Sequence, residues 1–238
     1  MQGIHPLCTQ PTVQEIFTRI LFIWSIRHPA SGYVQGINDF LVPFFVVFLG
    51  EYTNHNTSTV EAVEVKMEDV PQRVVEAVEA DTYWCVSKLL QGVQDNYTPD
   101  QPGIQQKLNS LKSLVERINV PLHHHLEALD IDYLHFAFRW MNNLLMRELP
   151  LHASIRLWDT YWAEPDGFSI FHLYVCAALL KRFAPSILKE SAHLDVLGLL
   201  VRLPCDNWTN DDISCLVSEA YQLRFLFDDA PQHLKSAR

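Results

Sequence analysis

Pro11-Thr-Val-Gln-Glu-Ile-Phe-Thr-Arg-Ile-Leu-Phe-Ile-Trp-Ser-Ile-Arg27 decides the fold class of this 238-residue chain. Val13, Ile16, Phe17, Ile20, Leu21 and Trp24 recur at spacings of three and four, the period of a helix with one apolar face. Pro11 suits a first turn, where its missing N–H is no loss. His28-Pro-Ala-Ser-Gly32 then stops the pattern. Beyond it, Gly36–Leu49 is apolar all round and is expected to be a central helix with a kink near Pro43.

Working outward, the same period recurs over Val74–Leu90, Ile104–Asn119, Tyr133–Leu145, Ile170–Phe183, Leu194–Leu203 and Asp211–Phe225. In Ile104–Asn119 the stripe is Leu108, Leu111, Leu114, Val115 and Ile118. Connections are short and marked by Pro or Gly, as in Tyr97-Thr-Pro-Asp-Gln-Pro-Gly103. With only 8 glycines in the chain, the expectation is an all-α fold with no sheet. Trp24, Trp84 and Trp140 are expected in its core. No internal repeat is apparent, which argues against a solenoid.

The net charge of −10 makes a nucleic-acid surface or simple adhesion to anionic lipid a poor fit. Five scattered cysteines without a Cys-x-x-Cys pair read as reduced thiols, with neither a disulfide framework nor a zinc site. His123-His124-His125 does not make a metal site, because adjacent helical residues point about 100° apart. It reads as a surface or helix-start cluster. No stretch is expected to be an integral membrane segment: Phe168–Leu180 is apolar but short of the roughly 20 residues required, and it carries His172. Glu51–Gln72 breaks the helical pattern. Across Glu51–Asp81 eight acids face Lys66 and Arg73, six of the ten net negative charges. The stretch reads as a solvated, disordered insertion, or alternatively as a docking loop for a basic partner.

Two motifs remain. Ser31-Gly-Tyr-Val-Gln-Gly-Ile-Asn-Asp39 places the Gln35 amide on a glycine-flanked turn. An amide can orient a water but cannot deprotonate one. Some 120 residues on lies Arg156-Leu-Trp-Asp-Thr-Tyr161. Asp159 is expected to form a partly buried ion pair with Arg156 or Arg147 beside Trp158.

Tyr33-Val-Gln35-Gly36 followed at that distance by Arg156-Leu157-Trp158-Asp159, with Trp140-Met141 and Arg147-Glu-Leu-Pro150 between, resembles the Rab GTPase-activating family built on the Tre-2/Bub2/Cdc16 (TBC) domain. The resemblance runs from about Pro11 to Asp228. It implies a multi-helix TBC domain over residues 11–228, interrupted by the acidic insertion at 51–72. Residues 1–10 would be a divergent start and 229–238 a tail. The partner it implies is a Rab-family small GTPase, and the substrate is the GTP and Mg²⁺ bound to that partner. The domain would have no cofactor of its own and would be an activator of another enzyme. It would be cytoplasmic, recruited peripherally to Rab-bearing endomembranes, with a role in vesicle trafficking.

GTP hydrolysis needs a water held in line and positive charge on the departing phosphate. By the resemblance, Gln35 is a glutamine finger acting in trans. Tyr33, Gly36, Asn38 and Asp39 shape the site and bind the GTPase, while Arg147, Arg156, Leu157, Trp158 and Asp159 are motif scaffold. The family's arginine finger comes from an Ile-x-x-Asp-x-x-Arg motif, and none occurs in the 238 residues. Its usual spacing would place the Arg at or just before Met1. The chain is therefore expected to be N-terminally truncated relative to the family, with impaired catalysis. Arg27 is the basic residue nearest Gln35, but nothing in the family pattern makes it a finger. The alternative is a Rab-binding or scaffolding module without significant activity.

Overall fold

A computed structural model describes residues 5–52 and 65–227. Among these residues there are ten α-helices and no strand. They are α1 (Pro11–Arg27), α2 (Leu41–Tyr52), α3 (Gln72–Gly92), α4 (Pro102–Ile118), α5 (Val120–Ala128), α6 (Leu134–Asn143), α7 (Leu151–Ala163), α8 (His172–Ile187), α9 (His193–Val201) and α10 (Asn210–Phe227). The all-helical expectation holds, and α1 has the bounds that its periodicity predicted.

Val13, Ile16, Phe17, Ile20 and Trp24 form the buried face of α1. Phe17 meets Phe45 of α2 edge to face, with ring centroids 5.3 Å apart. Helix α2 packs along α3, and α1 also lies against α3. The second group is built on α8, which packs against both α4 and α10, while α7 lies between α10 and α2. Aromatic rings join the two groups. Phe40, just ahead of α2, and Phe44 within it both lean on Trp158 of α7, at 5.7 and 5.9 Å.

Several details differ from the sequence reading. Pro43 is the third residue of α2, in its first turn. Its missing N–H breaks no helical bond there, and a short 3₁₀ turn, Ile37–Phe40, takes the place of the expected kink. Trp84 is 63% exposed. Helix α3 buries Val75, Val78, Thr82, Val86 and Leu89, and position 84 falls on the opposite side. Helices α5 and α7 were not foreseen. In α7 the polar Ser154 and Arg156 interrupt the apolar stripe that a period search needs, yet Ser154 is buried with Leu157, Trp158 and Tyr161.

His123, His124 and His125 lie in α5 and meet different surroundings: buried, exposed and half-buried in turn. Gly167–Ile187 runs as 21 continuous helical residues, long and apolar enough by composition to cross a membrane, whereas the sequence reading stopped at Leu180. An 18-residue window of it is 61% buried, and its neighbours include α4 and α10. Residues 65–72, which the sequence reading included in the insertion, pack against the domain. Val65 and Met67 are buried, and Gln10 ties them down by donating to the Val65 carbonyl at 2.7 Å and accepting from Met67 N–H at 2.9 Å. The rest of the expected insertion, 53–64, and the expected tail, 229–238, lie outside the described residues.

Candidate functional site

Helix α1 ends where His28 N–H reaches the Trp24 carbonyl at 3.0 Å and the His28 ring stacks on Trp24 at 4.6 Å. The chain then turns. Gly32 N–H donates to His28 O at 2.8 Å, and Asp39 N–H donates to Gly36 O at 3.0 Å. Gly36 has φ of +111°, a backbone state that side chains disfavour. Space forbids a side chain as well, since a Cβ there would lie 2.6 Å from Asn142 Nδ2. The turn therefore presses its backbone against the end of α6.

Polar bonds hold it there. Tyr33 Oη and Gly36 N–H both donate to Asn38 Oδ1, at 3.1 and 3.2 Å. Asn38 Nδ2 donates to Asp39 Oδ1 at 2.8 Å. The Asp39 side chain is wholly buried, and its Oδ2 accepts from Asn143 Nδ2 at 2.9 Å and from Arg147 Nε at 2.7 Å. A buried carboxylate is tolerated only with such a full set of donors. The hydroxyl of Tyr33 is kept protonated, its pKa pushed up by partial burial and then by the nearby Asp39 charge.

Gln35 behaves differently from its neighbours. It is exposed, and its amide makes no hydrogen bond to the described residues. Tyr33 is half-exposed, while Gly36, Asn38 and Asp39 are buried. Of the residues singled out by sequence, Gln35 and Tyr33 present their side chains to solvent at the turn, and the other three lie behind them.

The expected ion pair of Asp159 with Arg156 or Arg147 does not form. Arg147 is committed to Asp39, and Arg156 donates to Thr160 Oγ1 at 3.0 Å. Arg156 turns to Thr160, one helical turn along α7, and Asp159 is exposed. Partial burial pushes the Asp159 carboxyl up, with the Arg156 charge opposing. Asp159 rims an apolar groove of about 310 Å³ lined by Phe44, Phe48, Trp158 and Trp162. Leu157 and Trp158 are buried. Trp158 Nε1 donates to the Leu144 carbonyl at 3.2 Å while its ring packs on Phe40. One side chain thus supports both walls of the site.

Sequence reasoning missed Asn142, Asn143 and the reversal after them. Leu144 and Leu145 both adopt left-handed backbone, φ 52° and 64°, and both are fully buried. Non-glycine residues pay about 1–3 kcal/mol for such states. Nothing in Asn-Asn-Leu-Leu signals them. The reversal brings Asn143 and Arg147 to the same carboxylate. Beyond it, Glu148 is buried and takes a bidentate pair from Arg139, at 2.6 and 2.7 Å. Burial pushes the Glu148 carboxyl up, and Arg139 opposes the shift. The basic residues of α1 are also engaged: Arg19 forks onto Glu79 at 2.7 and 2.6 Å, and Arg27 donates to Tyr83 Oη at 3.2 Å.

An all-helical domain that offers one free amide from a glycine-fixed turn, with a buttressing tryptophan 123 positions on, has the anatomy of a TBC domain. The chain belongs to that family: residues 5–188 match the Rab-GTPase-TBC domain. It is 58% identical over 229 residues to TBC1 domain family member 22A of Mus musculus, covering 96% of this chain and 44% of that protein. It is 47% identical over 230 residues to GTPase-activating protein gyp1 of Schizosaccharomyces pombe, covering 96% and 44%. The chain thus spans less than half the length of these relatives. Among solved structures, the Ypt/Rab-GAP domain of Gyp1p superposes with a TM-score of 0.88 at 41% identity, covering 94% of this chain and 70% of that one.

Proposed function

We propose that this chain is a GTPase-activating domain for a Rab-family small GTPase, supplying Gln35 in trans to the GTP and Mg²⁺ bound by the partner. The observation that carries the reading is the contrast at the turn: a solvent-facing amide on a backbone locked by the buried Asn38–Asp39–Asn143–Arg147 network. A pre-positioned neutral amide can hold a water in line at little reorganisation cost. It cannot neutralise the charge developing on the phosphoryl group. An arginine finger is worth about 10³–10⁵ in rate, roughly 4–7 kcal/mol of barrier. No Ile-x-x-Asp-x-x-Arg occurs in the 238 residues, and Arg19 and Arg27 are held by Glu79 and Tyr83. The 238-residue polypeptide alone is therefore expected to accelerate hydrolysis only weakly.

A neutral exposed amide with Arg19 and Arg27 engaged elsewhere also suits a second reading, a Rab-binding or scaffolding module. In either case the domain acts on a GTPase carried on endomembranes, and its own recruitment there is peripheral. Single-turnover phosphate release from a panel of GTP-loaded Rabs tests the choice. Weak stimulation lost in Gln35→Ala supports the glutamine finger. GTP-dependent binding with no stimulation supports the module. Strong stimulation abolished by Arg27→Ala would show that Arg27 is the arginine, and strong stimulation insensitive to both substitutions would end the reading.

A further inference from the structure

We infer that Asn142 and Asn143, at the C-terminal end of α6, are positioning residues for Gln35, a role that rests on the glutamine-finger reading above. The Gln35 side chain makes no hydrogen bond to the described residues, so its location is set by the backbone on either side. Gly36 follows it directly, and two contacts from α6 fix Gly36. The Asn142 amide abuts its Cα, with Nδ2 2.6 Å from the place a Cβ would take; Asn143 Nδ2 lies 3.6 Å from that place. Asn143 then acts through a relay. It donates to Asp39 Oδ2 at 2.9 Å, Asp39 Oδ1 accepts from Asn38 Nδ2 at 2.8 Å, and Asn38 Oδ1 accepts the Gly36 N–H at 3.2 Å.

Arg147 shares the same carboxylate oxygen, but its side chain is 44% exposed, whereas Asn143 is only 2% exposed. Water can replace much of what Arg147 gives. It cannot reach the Asn143 bond, so deletion there leaves a buried acceptor short of a donor. The asparagines are themselves fixed from a third direction. Tyr97 Oη donates to the Asn142 carbonyl at 2.7 Å, and Asn96 Nδ2 donates to the Met141 carbonyl at 3.3 Å. Gln35 is thereby placed by the α3–α4 connection and the end of α6, more than 60 and 100 residues away in sequence.

The test uses the ¹⁵N-labelled 238-residue chain and its Asn143→Leu variant, which keeps the branching and heavy-atom count and removes the donor. Exchange of the Gly36 amide is followed together with amides in α1 and α8, and single-turnover hydrolysis is measured at saturating GTPase beside the Kd for it. Asn143→Leu is expected to speed Gly36 exchange about tenfold or more, the scale of one lost hydrogen bond to a charged group, while α1 and α8 keep their protection. Hydrolysis should fall to the Gln35→Ala level with Kd little changed. The exchanged pair Asp39→Asn with Asn143→Asp, which restores a donor facing a carboxylate, should recover most of the Gly36 protection. Unchanged Gly36 exchange in Asn143→Leu would overturn the inference. So would loss of protection shared equally by α1 and α8, since that is the mark of a general stabiliser. If Asn143→Leu does not fold, Asn142→Ala carries the same test, because it removes the amide against Gly36 and leaves Asp39 untouched. Gly36 exchange that follows Asn143, in a chain whose hydrolysis ignores Gln35→Ala, would sink the glutamine finger while leaving the placement of the turn intact.

Discussion

The Gln35 turn and helix α7 carry the two motifs, and they are held by opposite means. Helix α7 is fixed by apolar contact: Trp158 is 2% exposed and touches Phe40, Phe44 and Phe168. The turn is fixed by polar atoms converging on the wholly buried Asp39 side chain. A segment that must show a polar side chain to a partner has few apolar atoms to bury. Its geometry has to come from hydrogen bonds, which are directional and fail one at a time. Packing specifies position less sharply but contributes more free energy.

The largest effect should come from the packed side. Trp158→Ala empties a site at the junction of α2, α7 and the reversal at Leu144, and should cost about 4 kcal/mol by the usual scale for buried tryptophan. Urea unfolding measures it; a loss below about 1 kcal/mol would show that the junction collapses onto the gap. Asp39→Ala comes next, at about 3 kcal/mol, the lower end for breaking a buried pair because Arg147 can turn to water. If Asp39→Ala proves neutral, the turn is held by something other than its polar network.

Acid should then separate the two regions. His172 of α8 is wholly buried, which keeps its ring neutral; Nε2–H then donates to the Trp140 carbonyl at 3.1 Å and Nδ1 accepts from Tyr161 of α7 at 2.8 Å. Burial foremost, then the Lys107 charge, lowers its pKa from 6.5 to about 3. The unfolded chain therefore takes up this proton first. Stability is full above pH 6.5 and is lost as pH falls from there toward about 3. From pH 7 to pH 5 the loss from this one group is about 2 kcal/mol. His172→Gln should flatten that slope in urea titrations, and an unchanged slope would mean the ring is protonated in the fold. The smallest effect is expected at the proposed finger: Gln35→Ala should change stability by less than about 0.5 kcal/mol, as for an exposed side chain. A larger loss in thermal unfolding would show that Gln35 is part of the scaffold.

How far the sequence went can be followed residue by residue. The stripe Val13, Ile16, Phe17, Ile20 and Trp24 gave α1 its limits, because burial of one face at a period of 3.6 is a local property. The same logic missed α7, where a buried Ser154 stands in the stripe, and misplaced Trp84, which lies on the side of α3 opposite Val78, Thr82 and Val86. At the site, Gln35, Gly36, Asn38 and Asp39 were singled out by a glycine-flanked turn and by its resemblance to the family motif. Asn142 and Asn143 were not. Asparagine at a helix end is ordinarily solvated, and nothing nearby marks Asn143 as the donor to a carboxylate more than 100 positions upstream or Asn142 as the group packed against Gly36.

The sequence by itself determined the helical class, the start and end of α1 and the turn that presents an amide, which rest on spacing or residue type within a short window, and the family, which rests on the order and spacing of several short motifs. The tertiary structure alone decided which arginine meets Asp39, that Asp159 faces outward, and that an asparagine pair backs Gly36. Those choices depend on the left-handed reversal at Leu144 and Leu145, which is imposed by surrounding packing against local preference. Partnerships between distant segments are set by how the whole chain closes, and no local window contains that information.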